Sequence, residues 1–144
     1  MQLPKRVVLA SDHAGFTLKE EVKKHLVQKG IDVIDEGTFS EESVDYPVIM
    51  RRGSAVVLEQ KIPGIFFGGS GNGEQMAANK VRGIRAALVY SDDTAKLARA
   101  HNDANVMTMG GRLTKVEDAK RFVDIFLATD FEGGRHVKRV NDLE

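Results

Sequence analysis

The chain has 144 residues, the length of one domain with room for a three-layer core. Lysine plus arginine balance aspartate plus glutamate at 21 each, which argues against a general polyanion binder, and the absence of cysteine excludes disulfides, zinc–thiolate sites and thiol nucleophiles. No apolar run approaches membrane-spanning length and the opening MQLPKR carries no apolar signal core, so the sequence reads as a soluble cytoplasmic protein.

In chain order, residues 6–10 (RVVLA) predict a buried strand, and 16–29 place Phe16, Val22 and Leu26 on a charged helix. A second strand is expected over 31–34, followed by a polar loop over 38–46. Pro47 suits a first helical position and opens a helix to about Gln60. GIFF at 64–67 predicts the third strand, which runs into the glycine loop GGSGNG at 68–73 and a short helix over 74–80. IRAALVY at 84–90 predicts a fourth strand; Ser91 or Asp92 caps a helix ending near His101, and 106–109 form a fifth strand. TKVE at 114–117 has the spacing of a capping box for a helix to Ala128. After Gly133-Gly134 a basic helix is expected over 135–143.

Strictly alternating strands and helices mean a parallel sheet covered on both faces. Right-handed crossovers then give one α/β domain over 1–144, a doubly wound, Rossmann- or flavodoxin-like sheet of five strands with an extra C-terminal helix. The expected order is 2-1-3-4-5, which puts the ligand crevice beyond the carboxyl ends of strands one and three.

Two loops meet at that crevice, 11–15 (SDHAG) and 68–74 (GGSGNGE). The glycines permit close backbone approach, with N–H groups turned toward an oxygen-rich ligand at a helix N-terminus. The loop matches neither G-x-G-x-x-G nor a P-loop, so no nucleotide fingerprint is present. Glu74 has two readings on the residues alone: a first-turn carboxylate favoured by the helix dipole, or a base opening onto the crevice. Asp12 and His13 could cap a helix and face solvent, yet their position at the switch point favours function. Tyr46 is equally well a half-buried loop tyrosine or a wall of the site.

His101 and Asn102 should end a helix that starts at the carboxyl edge of the sheet, and so lie at the opposite edge. Arg135, His136 and Arg139 follow the last crossover helix and share that placement. By themselves they read as a helix C-terminus and a solvated basic helix. If they act on a ligand, they do so in a neighbouring subunit, and a two-fold dimer supplies both sites at once. Arg135 and Arg139, at i and i+4, project from one face in a spacing that suits a phosphate dianion.

The segments SDHAGF (11–16), DYP (45–47), GGSGNGEQMAANK (68–80), HNDANV (101–106), GGR (110–112) and GGRH with Arg139 (133–139) resemble the ribose-5-phosphate isomerase B family, which also holds galactose-6-phosphate and allose-6-phosphate isomerases. They span nearly the whole chain in order. The resemblance implies a homodimer with shared active sites, whose further pairing into tetramers stays open, and cofactor-free, metal-free isomerisation through a cis-enediolate. By the same resemblance His101 is the ring-opening acid/base, with Asp12 contacting sugar hydroxyls or assisting. Ser70 and the N–H groups of Gly71 and Gly73 form the enediolate cradle. His13, Arg112, Arg135, His136 and Arg139 bind phosphate, and Tyr46, Asn72 and Asn102 complete the substrate-binding set. One branch of the family has a cysteine base where this chain has Gly68; this chain resembles the other branch, whose base is the glutamate, here Glu74.

The expected activity is interconversion of ribose 5-phosphate and ribulose 5-phosphate, a step of pentose phosphate metabolism. Isomerisation of a six-carbon sugar phosphate, or a non-catalytic module that binds a sugar phosphate or nucleotide, are the alternatives. Nucleic acid and membrane are not expected partners.

Overall fold

Apolar residues at consecutive strand positions give the central strands two faces to bury, and helices cover both. A computed structural model describes residues 2–144. Among them β1 (Arg6–Ser11), β2 (Asp32–Asp35), β3 (Gly64–Gly68), β4 (Ala86–Leu88) and β5 (Val106–Gly110) form one parallel sheet. The helices are α1 (Phe16–Gln28), α2 (Tyr46–Gln60), α3 (Asn72–Asn79), α4 (Asp92–Ala100), α5 (Val116–Ala128) and α6 (His136–Asn141). Val7, Leu9, Ile65, Phe67, Met107 and Met109 pack with Leu18, Val22, Ala95 and Phe122 from α1, α4 and α5. Val8, Ala10, Phe66 and Val106 pack against Ile49, Met50 and Val57 of α2 and Ala78 of α3. The period of two along each strand sends alternate residues to opposite layers.

The strand order is β2-β1-β3-β5-β4, which corrects the expected 2-1-3-4-5 while leaving the fold class as predicted. Burial accounts for the exchange. Every residue of β5 is buried, as an interior strand requires, whereas β4 is a three-residue strand with Ala87 and Leu88 only partly covered. The shorter and wetter strand takes the edge. Crossover handedness is kept: connections toward the β4 edge run through α2 and α3 on one face, and those toward the β2 edge through α1 and α4 on the other. Connections still diverge between β1 and β3, so the switch point is where the sequence puts it.

Local boundaries differ in ways that matter for the site. The helix after the glycine loop begins at Asn72, which makes Glu74 its third residue and not its first. Tyr46 is the first residue of α2, with Pro47 behind it, and so belongs to a helix rather than the preceding loop. The capping box expected at Thr114 does not form: Lys115 is extended and serves as N-cap of α5, leaving Thr114 one residue too early. A box does form at α4, where Ser91 Oγ accepts from Thr94 N–H and Ser91 N–H donates to Thr94 Oγ1, each at 3.0 Å. β4 is shorter than 84–90 and α6 shorter than 135–143. Among the described residues no helix is long and apolar enough to cross a membrane.

Candidate active site

Parallel pairing of β1 with β3 sets Ser11 beside Phe67, so the segments that leave the two strands emerge side by side. Between them opens a cleft of about 510 Å³ whose walls include Asp12, His13, Tyr46, Ser70, Gly73, Glu74 and Arg112. Each was singled out from the sequence; Ala14 and Gly69, from the two loops expected there, and Leu113, which carried no sequence signal, complete the lining.

Glu74 reaches the cleft through a notch in the backbone. A Cβ built on Gly68 would collide with the Glu74 carboxylate, so that side chain occupies the space a residue at 68 would need. The space beside position 68 is thus filled from α3 by a carboxylate. Glu74 is 3% exposed, and its Oε2 has no hydrogen-bond partner among the described residues. Burial, followed by the facing Asp12 carboxyl through hydrogen bonding and like charge, pushes the Glu74 pKa up to about 7. A carboxylate placed only to complement the helix dipole would gain nothing from such burial. A neutral-range carboxyl with an unpaired oxygen has the properties of a proton-transfer group.

The neighbours are held in defined poses. Asp12 is buried, and its Oδ1 accepts from Gly15 N–H at 2.9 Å, a local turn that leaves Gly15 as N-cap of α1. Val44 N–H donates to His13 Nδ1 at 3.2 Å. That bond assigns the neutral imidazole's proton to Nε2, which becomes a donor. The Tyr46 ring lies against Gly73, where an added Cβ would come within 2.5 Å of Tyr46 Cζ. Ser70 is exposed; its Oγ accepts from Asn72 N–H at 3.2 Å and keeps its own O–H free to donate. Gly71, at φ 88°, is the N-cap of α3, and the first-turn N–H of Gly73 has no intrahelical acceptor. Asn72 lines an adjoining smaller hollow with Ser70, Leu88 and Tyr90 rather than the cleft itself. Arg112 is exposed and, among the described residues, forms no ion pair, so its guanidinium is available to an anion.

Sequence reading passes over the device that anchors this wall. Lys19 is fully buried on α1 and puts Nζ 2.6 Å from both oxygens of Asp35. Burial raises the Asp35 pKa, but hydrogen bonds from Lys19 and Gly37 outweigh it and hold the carboxyl below its ordinary value. Asp35 Oδ1 also accepts from Gly37 N–H at 2.9 Å, and Gly37 C=O accepts from Ser11 N–H at 2.6 Å. The pair therefore ties the 38–45 loop to the end of β1, immediately before Asp12 and His13. A lysine and an aspartate 16 residues apart give no sequence signal of this contact.

The remaining expected residues lie outside the cleft within one chain. His101 is the C-cap of α4 and stacks on His136 with ring centroids 4.4 Å apart. Arg135, the N-cap of α6, and Arg139 within that helix are exposed beside them. Asn102 lines a separate cavity of about 720 Å³ along β4. This is the separation that topology dictates for residues following α4 and α5.

A family model described as Ribose/Galactose Isomerase matches residues 7–143. The chain is 43% identical over 140 residues to ribose-5-phosphate isomerase B of Escherichia coli (strain K12), covering 96% of this chain and 94% of that one. A crystal structure of a ribose 5-phosphate isomerase from Thermotoga maritima superposes with a TM-score of 0.95 and 47% identity, covering 99% of this chain and 98% of that one. Ribose-5-phosphate isomerase B from Mycoplasma genitalium, solved with bound ribulose-5-phosphate, has a TM-score of 0.92 and 39% identity, with 99% of this chain and 95% of that one covered.

Proposed function

The chain belongs to the ribose/galactose isomerase family and is an aldose–ketose isomerase; on that premise we propose that it interconverts ribose 5-phosphate and ribulose 5-phosphate with Glu74 as the base. The observation that carries the reading is the buried Glu74 carboxyl, seated in the Gly68 notch and titrating near neutrality beside Asp12, Ser70 and Arg112. Glu74 takes the proton from C2 of the open-chain aldose. The resulting cis-enediolate keeps its charge on oxygen, where Ser70 O–H and the Gly71 and Gly73 N–H groups donate to it. The same carboxyl returns the proton to C1 while the O2 proton passes to O1, so the product is the ketose with no net gain or loss. Each donor to the enediolate is worth roughly 3 kcal/mol of transition-state stabilisation. Asp12 contacts the sugar hydroxyls, with Tyr46 and Asn72 on the adjoining walls, and His13 and Arg112 reach toward the phosphate.

Ring opening and the far phosphate grip fall to the partner subunit of a homodimer. In this reading each cleft receives the second protomer's His101, as acid/base, and Asn102, with Arg135, His136 and Arg139 around the phosphate. Exposed guanidiniums four residues apart, at the N-cap of α6 and within it, support it. We place the enzyme in the cytoplasm, in pentose phosphate metabolism. Coupled assays with ribose 5-phosphate, allose 6-phosphate and galactose 6-phosphate side by side test the substrate. The highest kcat/KM is expected for the pentose, and a preference for either hexose would reassign it.

Two results follow from the site. Because Glu74 works deprotonated and its pKa is about 7, kcat/KM should fall as pH drops through that value, with unit slope on the acid side; a profile flat down to pH ~5 would exclude Glu74 as the titrating base. Mixing equal amounts of Glu74→Gln and His101→Asn homodimers under exchange conditions should restore roughly a quarter of wild-type activity, since half the dimers are mixed and each has one intact site. Sites confined to one chain would give no restoration.

A further inference from the structure

We propose that His101, Glu132 and His136 form a reversible binding site for a divalent transition-metal ion of the zinc class, and that filling it switches the isomerase off. Three elements converge there. His101 ends α4, His136 opens α6, and Glu132 lies on the connection between α5 and α6. Glu132 N–H donates to Ala100 C=O at 3.0 Å, which pins that connection against the end of α4.

The ligand atoms lie near one another. Glu132 Oε1 lies 3.8 Å from His101 Nε2 and 3.7 Å from His136 Nε2, and one ligand atom from each residue falls within 4.8 Å of the others. These separations are too long for hydrogen bonds. Donors bound to one tetrahedral zinc ion stand about 3.3 Å apart, because each metal–ligand bond is about 2.0–2.1 Å. Closing the set requires about an ångström of side-chain movement, including a swing of the stacked rings toward a common point. Within one chain Glu132 and His101 have room to make it, with side chains 53% and 35% exposed.

His136 supplies the independent observation. It is 6% exposed, and its Nε2 has no hydrogen-bond partner among the described residues. A buried imidazole nitrogen left unpaired is costly, and a metal ion would satisfy it. Two imidazoles and one carboxylate suit zinc or a similar borderline ion, and suit magnesium or calcium poorly. Arg135 immediately precedes this ring and Arg139 follows it by three residues, both exposed. The same arginines repel a cation, so the site should hold its ion more weakly than a structural zinc centre.

The off-switch rests on the proposed role of His101: an ion on Nε2 removes the lone pair needed for ring opening and crowds the phosphate end of the partner's cleft. Metal-stripped full-length protein is titrated with Zn²⁺ by calorimetry, with Mg²⁺ as control, and activity is measured over the same concentrations. One Zn²⁺ per chain is expected. Glu132→Gln should keep basal turnover and weaken Zn²⁺ binding by roughly 10- to 100-fold or more, the loss that removing even an outer-sphere partner produces. The inhibition midpoint should shift with the binding midpoint, and chelator should restore activity. Absence of binding, or binding that Glu132→Gln leaves unchanged, overturns the site. Glu132-dependent binding without inhibition overturns the switch, while the mixed-dimer experiment reports separately on His101 itself.

Discussion

Glu74→Gln is expected to lower turnover by about 10³- to 10⁴-fold while substrate still binds with near-wild-type affinity. The amide has the carboxylate's shape, so it fills the Gly68 notch and leaves Tyr46, Ser70 and the glycine loop where they are. It cannot accept a proton from carbon. A stability measurement gives this variant a second signature. The folded-state pKa of Glu74 is raised above its ordinary value of 4.5 to about 7, so the folded protein favours the protonated acid. Below the lower value both folded and unfolded chains carry the proton and there is no penalty. As pH rises through the window between the two values, only the folded chain still holds it, and stability falls. At pH ~8 the penalty is complete, and the variant should be more stable than the parent by on the order of 3 kcal/mol. An inactive but stabilised variant identifies a group held in a costly state for chemistry. A variant that is inactive and unfolded would instead assign Glu74 a packing role.

Gly68→Ala should cost about 10²- to 10³-fold in kcat although it adds only one methyl group. The new Cβ falls on the Glu74 carboxyl, and the strand beneath it is central and fully buried, so the carboxyl has to yield. Displacement by an ångström is enough to break alignment with a C–H bond. The accompanying loss of stability should be modest, because the side chain can swing outward into the open cleft. Activity within a few-fold of wild type would mean that Glu74 does not act from the notch.

How much of this is legible in the sequence depends on how local each cause is. The glycine loop, Asp12, His13 and Glu74 could be found because they sit directly after β1 and β3, and topology brings those strand ends together whatever the side chains do. The opposite placement of His101 and Arg135 follows from helix direction alone. The exchange of β4 and β5 could not be read, since it turns on relative burial of two short apolar runs in three dimensions. Nor could the notch: Gly68 and Glu74 are close in sequence, but only the fold turns the glutamate back over the strand. The Lys19–Asp35 anchor and the Val44–His13 bond are long-range pairings with no periodic trace. Thr114 shows the converse, a correct local spacing overruled when the helix starts one residue later.

Proton transfer at carbon can be watched without relying on net turnover. In D₂O, NMR of ribulose 5-phosphate at equilibrium should reveal deuterium entering C1 with the wild-type enzyme and essentially none with Glu74→Gln under saturating substrate. Exchange at the wild-type rate in that variant would mean that some other group takes the proton from carbon.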